Sequence, residues 1–162
     1  MNPTTVDVPE LLAPLGEPAD VLRNAGGWWA VRPRLDVRAM AGLMRDHEVR
    51  LVTISARPAP DGGHILIYHW NVGSAVLNIC TVIPEGGQAV TIADLLPAAD
   101  WAEREIRDYY GLEFTGRTRT PTLMLREGDP AGLFSRTADV GRETDPAATA
   151  RRAAEAEEGE AK

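Results

Sequence analysis

The chain has 162 residues, with 17 Lys plus Arg against 24 Asp plus Glu, a formal net charge of -7. Tracking phosphates needs a basic stripe that this balance does not supply, which argues against a general nucleic-acid binder. With 44% hydrophobic and 25% charged residues the composition is that of a globular domain, and at this length one domain is the natural expectation. Its single cysteine, Cys80, is too few for a disulfide, a zinc ribbon or an iron–sulfur cluster.

The N-terminal run MNPTTVDVPELLAPLG has no basic n-region and is broken by Pro9, Pro14 and Gly16, so no signal peptide is expected and the expected location is cytoplasmic. Residues 1–25 read as a lead-in, with one helical turn near Val21 to Asn24. Trp28 to Arg32 is the first strand-like run, bounded by Gly26-Gly27 and Pro33. Asp36 can cap a following helix, in which Met40, Leu43, Met44 and His47 recur at the spacing of one face.

Three strand-like runs come next: Val49 to Arg57, His64 to Val72, and Ala75 to Ile83, with a further short one over Ala89 to Ile92. Residues 65–83 carry no charge and are numerous enough to span a bilayer, but Asn71 to Ser74 has turn composition, so the stretch reads as a hairpin. Asp94 to Tyr110 has helical content, and Gly111 stands where a C′ glycine would end it. The order β, α, β, β, β and then a helix predicts an α+β domain over 26–136. It would contain an antiparallel or mixed sheet of four to five strands with helices on one face and the last helix after the sheet. Residues 137–162, with 7 acidic and 4 basic residues, read as a polar tail, frayed or disordered.

On a wheel of about 100° per residue with Trp101 at zero, Ala98, Tyr109, Ala102 and Ile106 form an apolar arc. Glu103 with Arg107, and Arg104 with Asp108, are expected as solvated i, i+4 pairs. Glu105 falls between Trp101 and Tyr109 inside the arc, which implies a cationic or hydrogen-bonding partner, with Arg117, Arg119 and Arg126 as candidates, or an interface that is not pure hydrocarbon; in the alternative the helix bends or starts late and Glu105 reaches solvent. A rival reading makes Glu103, Glu105 and Asp108 acid, base or metal ligands of a free-standing enzyme; no histidine accompanies them. His64 and His69, five apart on one strand, point to opposite faces and cannot share a metal. Cys80 reads as a small core residue, and the pairs Gly26-Gly27, Gly62-Gly63 and Gly86-Gly87 as turns rather than a nucleotide fingerprint.

The run PAADWAEREIRDYYGLEFTG, Pro97 to Gly116, resembles the signature of the 30 kDa subunit family of proton-pumping NADH:quinone oxidoreductase, complex I, and related membrane-bound [NiFe] hydrogenases. The elements in order are Trp101, Glu103-Arg104-Glu105, Asp108, Tyr109-Tyr110, Gly111 and Phe114-Thr115-Gly116, followed by Arg117. The chain departs from the family in having Arg117-Thr118 where His-Pro is usual, and in turning polar after Phe134 where the complex I form is extended. Short members are similar to subunits of membrane-bound hydrogenases and formate hydrogenlyases.

The resemblance implies a subunit of the hydrophilic arm with no cofactor, metal or catalytic residue of its own. Its implied partners are the large, 49 kDa-like quinone-site subunit and other subunits of the arm. It would sit on the cytoplasmic side of the membrane, peripheral and without a span, and support electron transfer from NADH to quinone. The signature residues would serve the interface, with Trp101, Tyr109, Tyr110, Phe114 and Arg117 as anchors.

Overall fold

A computed structural model of the chain describes residues 7–16, 21–117 and 121–134. The polar tail expected over 137–162 lies outside the described residues. Helix α1 (Val8–Leu12) is capped by Asp7 and followed by a 3-10 turn over Ala13–Leu15; Val8, Leu11 and Leu12 join the hydrophobic core. Strands β1 (Val21–Asn24) and β2 (Gly27–Val31) then form an antiparallel hairpin. The helical turn expected at Val21 to Asn24 is therefore a strand. Four residues cannot nucleate a helix alone, and the Asn24 side chain accepts the Gly26 N–H at 2.8 Å, closing a hairpin turn instead.

Helix α2 (Val37–Asp46) starts where Asp36 accepts the N–H groups of Arg38 and Ala39, and it buries Val37, Met40, Ala41 and Met44. Strands β3 (Arg50–Pro58), β4 (His64–Val72) and β5 (Ala75–Ile83) make an antiparallel meander. The uncharged stretch 65–83 is thus the β4–β5 hairpin, and no helix among the described residues is long and apolar enough to cross a membrane. β2 pairs with β5 in parallel, giving a mixed five-stranded sheet in the order β1-β2-β5-β4-β3. Beyond it come β6 (Ala89–Val90), α3 (Ala99–Tyr110) and β7 (Phe114–Thr115); β6 and β7 pair in parallel on either side of the helix in the chain.

Alternation gives the large sheet two unlike faces. Leu51, Ile54, Leu66, Tyr68, Trp70, Leu77 and Ile79 form one core cluster with Met40 and Met44 of α2 and Ala99, Ala102 and Ile106 of α3. The opposite face carries Ile65, Ile67 and Cys80 half-buried, and Val31, Val76 and Val82 exposed. Cys80, expected in the core, lies on this second face, where partial burial pushes its thiol pKa up.

Candidate functional site

Helix α3 begins after Pro97 with Asp100 in its first turn and ends at Gly111, whose φ of 70° is the left-handed C-cap that glycine adopts without strain. Its sheet-facing side is Ala99, Ala102, Glu103 and Ile106, an arc centred near 150° on the wheel, with Trp101 opposite. This corrects two expectations. Trp101 is 67% exposed, and Glu105 is half-exposed beside a shallow cleft lined by Thr53, Ser55, Ile106, Tyr109, Tyr110 and Phe134. A wheel oriented on the largest side chain misplaces the covered side, because Ile106 and the alanines fix the helix on the sheet.

The buried carboxylates are Glu103 and Asp108, both inaccessible to solvent. Glu103 accepts the Ile92 N–H at 2.8 Å on Oε1, and on Oε2 the Thr91 hydroxyl at 2.5 Å and Arg117 Nη1 at 2.7 Å. The other terminal nitrogen of Arg117 pairs with Asp100, which Arg104 also approaches at 3.4 Å. Arg104 donates onward to the backbone oxygens of Pro121 and Thr122 at 3.1 and 2.9 Å. Asp108 Oδ2 accepts the N–H groups of Leu123, Met124 and Leu125 at 2.7, 2.7 and 3.2 Å.

The solvated pairs Glu103–Arg107 and Arg104–Asp108 are accordingly not formed; Arg107 pairs with Glu113 at 3.1 Å and stands 3.6 Å from Asp108 Oδ1. Arg117 serves Glu103 and Asp100 instead of Glu105, and Arg119 lies outside the described residues. Glu105 has no ion pair among the described residues. The carboxylate–arginine helix thus grips the chain on both sides of it, with Glu103 tied to Thr91 and Ile92 before the helix and to Arg117 after it, and Asp108 to the 121–125 segment.

The electrostatics follow this wiring. Burial pushes the Asp108 pKa up, but the three amides and Arg107 outweigh it and hold the carboxyl below its ordinary value. In Asp100, burial is likewise outweighed by the guanidinium groups of Arg117 and Arg104, and the pKa is lowered. Burial alone would lower the Arg117 pKa; Glu103 and Asp100 raise it. Both Glu103 oxygens and Asp108 Oδ2 are engaged in hydrogen bonds, Asp108 Oδ1 is buried without one among the described residues, and neither side chain is exposed to solvent. Among the described residues no group of three or more His, Cys, Asp or Glu side chains is placed to hold a metal ion.

Around the end of α3 the aromatics associate. Tyr109 stacks on Phe134 with centroids 4.7 Å apart, and Tyr110 meets Phe134 and His64 edge-on at 5.5 and 5.6 Å. His64, Tyr110 and Phe134 border a cleft of about 560 Å³ between the β3–β4 turn and the Gly111–Glu113 segment. Phe114 is buried in the core, and Gly116 turns the chain toward Arg117. Trp101 and Met124 are left exposed on the surface.

Two constellations escape a reading of the sequence. Thr91, which completes the shell of Glu103, has no motif to announce it. Ser55, His69 and Asn78 form a hydrogen-bonded row on the second sheet face: Ser55 Oγ to His69 Nε2 at 2.9 Å, and His69 Nδ1 to Asn78 Oδ1 at 2.7 Å. Writing out the β4–β5 register opposes His69 to Asn78, so that pairing is available from the hairpin alone.

No curated protein matches the chain. Among solved structures, a chain of the membrane-bound sulfane sulfur reductase, an archaeal respiratory membrane complex, shares the fold. Its TM-score is 0.66 over 85% of this chain and 88% of that chain, at 20% sequence identity. The family described as respiratory-chain NADH dehydrogenase, 30 Kd subunit, matches residues 31–132, which includes the whole sheet beyond β2 and all of α3 with its ion pairs. The chain is a member of that family.

Proposed function

We propose that the chain is a cofactor-free subunit of the hydrophilic arm of a membrane-bound NADH:quinone oxidoreductase. It docks on the large quinone-site subunit and holds that neighbour in register for electron transfer from NADH to quinone. On this reading it is peripheral, on the cytoplasmic side of the membrane, and the chemistry belongs to its neighbours. The observation that carries the reading is Trp101. It stands 67% exposed on a helix whose Glu103 and Asp108 are consumed internally, and a large aromatic side chain in that position is the usual anchor of a protein contact. Met124, held by the Asp108 contact, is likewise exposed.

The test is affinity purification of the tagged full chain from membranes solubilised in mild detergent. NADH:quinone activity and a large subunit should co-purify with it, and Trp101→Ala should reduce both at least about tenfold while leaving folding intact. Co-purification of hydrogen-evolving activity with a nickel-containing large subunit would instead assign the chain to a hydrogenase or formate hydrogenlyase. Purification of the chain alone would defeat both.

A further inference from the structure

The buried residues of α1, α2 and α3 belong to the core cluster of the other face, so among the described residues no helix packs on the second face of the five-stranded sheet beyond its β3 edge, where Thr53 and Ser55 border α3 across the shallow cleft. By register its outward rows are Arg57–Ile65–Val82, then Ser55–Ile67–Cys80–Val31, then Thr53–His69–Asn78–Trp29–Leu22, and last Arg50–Asn71–Val76. In a chain with 24 acidic residues, none falls in these rows; the only formal charges are Arg50 and Arg57. The Arg57 guanidinium is close enough to act on the Cys80 thiol from the same face.

The polar groups at the centre are satisfied among themselves. His69 Nδ1–H donates to Asn78 Oδ1, which leaves Nε2 to accept the Ser55 hydroxyl, and Asn78 Nδ2 donates to the Trp28 carbonyl at 3.0 Å. Ser55, His69 and Asn78 can therefore leave water without loss, while Trp29 Nε1 in the same row is buried without a hydrogen-bond partner among the described residues. The face is also large enough to matter. Three nine-residue strands and two shorter ones, at about 4.8 Å spacing and 3.3 Å per residue, cover about 600 Å². One partner's share of a standard interface is about 800 Å².

We propose that this face is a second docking surface, distinct from the one around Trp101. It receives a protein surface that is apolar at its centre and carries carboxylates against Arg50 and Arg57. The proposal rests on the reading of the chain as a subunit of a larger complex. Charge selects this occupant over the others. A second copy would bring two faces with only arginines together between bodies of net charge -7, and two arginines on so acidic a chain are too few to hold an anionic membrane. A partner carboxylate brought opposite Arg57 would be attracted locally, within about a Debye length of the guanidinium.

The experiment uses the tagged full chain purified in its complex. The double variant Val82→Glu, Arg57→Glu places two carboxylates on the face at exposed positions. It should lose at least one co-purifying subunit by about tenfold or more, with circular dichroism unchanged, while Arg57→Lys retains it. Cys80 gives an independent readout, because it is the chain's only cysteine. Its alkylation, followed by mass spectrometry of this chain, should be at least about tenfold slower in the wild-type complex than in the isolated full chain.

Equal retention of all subunits by the double variant, or equal Cys80 labelling in both states, overturns the proposal while leaving the Trp101 contact standing. So does a wild-type homodimer that the double variant converts to monomer, or binding to anionic phospholipid vesicles that Arg57→Glu abolishes. A wild-type chain that captures no subunit at all overturns instead the reading on which the proposal rests.

Discussion

Arg117 donates to Glu103 across 2.7 Å at a point where the Glu103 side chain is inaccessible and that of Arg117 is 9% exposed. A buried pair of this kind adds little net stability over apolar side chains of the same volume, but half of it is costly to keep. Arg117→Met is therefore expected to lower the unfolding free energy by about 3–5 kcal/mol, whereas Glu103→Gln combined with Arg117→Met loses less than the sum of the two single losses. Urea denaturation of the four proteins in the cycle measures the coupling; strictly additive losses would contradict the geometry.

Asp108 holds three successive amides of the Leu123–Leu125 segment through one oxygen. Asp108→Asn keeps an acceptor but removes the charge that strengthens all three bonds. The expected result is faster amide hydrogen exchange at residues 123–125, with global stability reduced by about 1–3 kcal/mol. Unchanged protection in this segment would show that something else anchors it.

The pKa shifts fix a direction for acid sensitivity. Asp100 and Asp108 are held below their ordinary values in the folded chain, so the unfolded chain takes up protons first as the pH falls. Their contribution is complete above about pH 4 and disappears as the pH falls through the folded values. His64 is displaced downward by burial, so its neutral form is favoured by folding; its contribution is complete above about pH 6.5 and declines as the pH falls below that. Urea midpoints taken from pH 8 to pH 3 should fall in two stages. His64→Phe should flatten the first, and Asp100→Asn with Asp108→Asn the second.

The Tyr68 hydroxyl is buried without a hydrogen-bond partner among the described residues, and burial together with the nearby Glu103 charge pushes its pKa up. Removing an unpaired buried hydroxyl relieves a desolvation penalty. Tyr68→Phe should leave the thermal midpoint unchanged or raise it; a clear drop would reveal a bond that the hydroxyl makes.

What the sequence discloses depends on how far each signal is local. The β4–β5 hairpin emerges at its observed limits because nine-residue runs alternate on either side of an Asn-Val-Gly-Ser turn, and α2 because Asp36 supplies a cap ahead of a Met40–Met44 stripe. β1 and β7, with four and two residues, are too short to show any period. The signature helix yields its residue types and its Gly111 stop, but not which carboxylates are buried. A wheel assumes one covered side, and α3 is covered on two: Ile106 and Glu103 face inward from the sheet side, while Asp108, nearly opposite, is roofed by residues 121–132. For that reason Glu105 stands out on the wheel in place of Glu103.

Thr91 just after β6, Glu103 on α3 and Arg117 just after β7 are separated in the chain, yet Glu103 joins the other two through its carboxylate. Inheritance should therefore treat them as a unit. Across divergent relatives these columns are expected to covary, with a shortened or neutral residue at 103 accompanied by loss of the cation at 117 and of the hydroxyl at 91. Where relatives carry histidine in place of Arg117, the acidic partners at 100 and 103 should change in step.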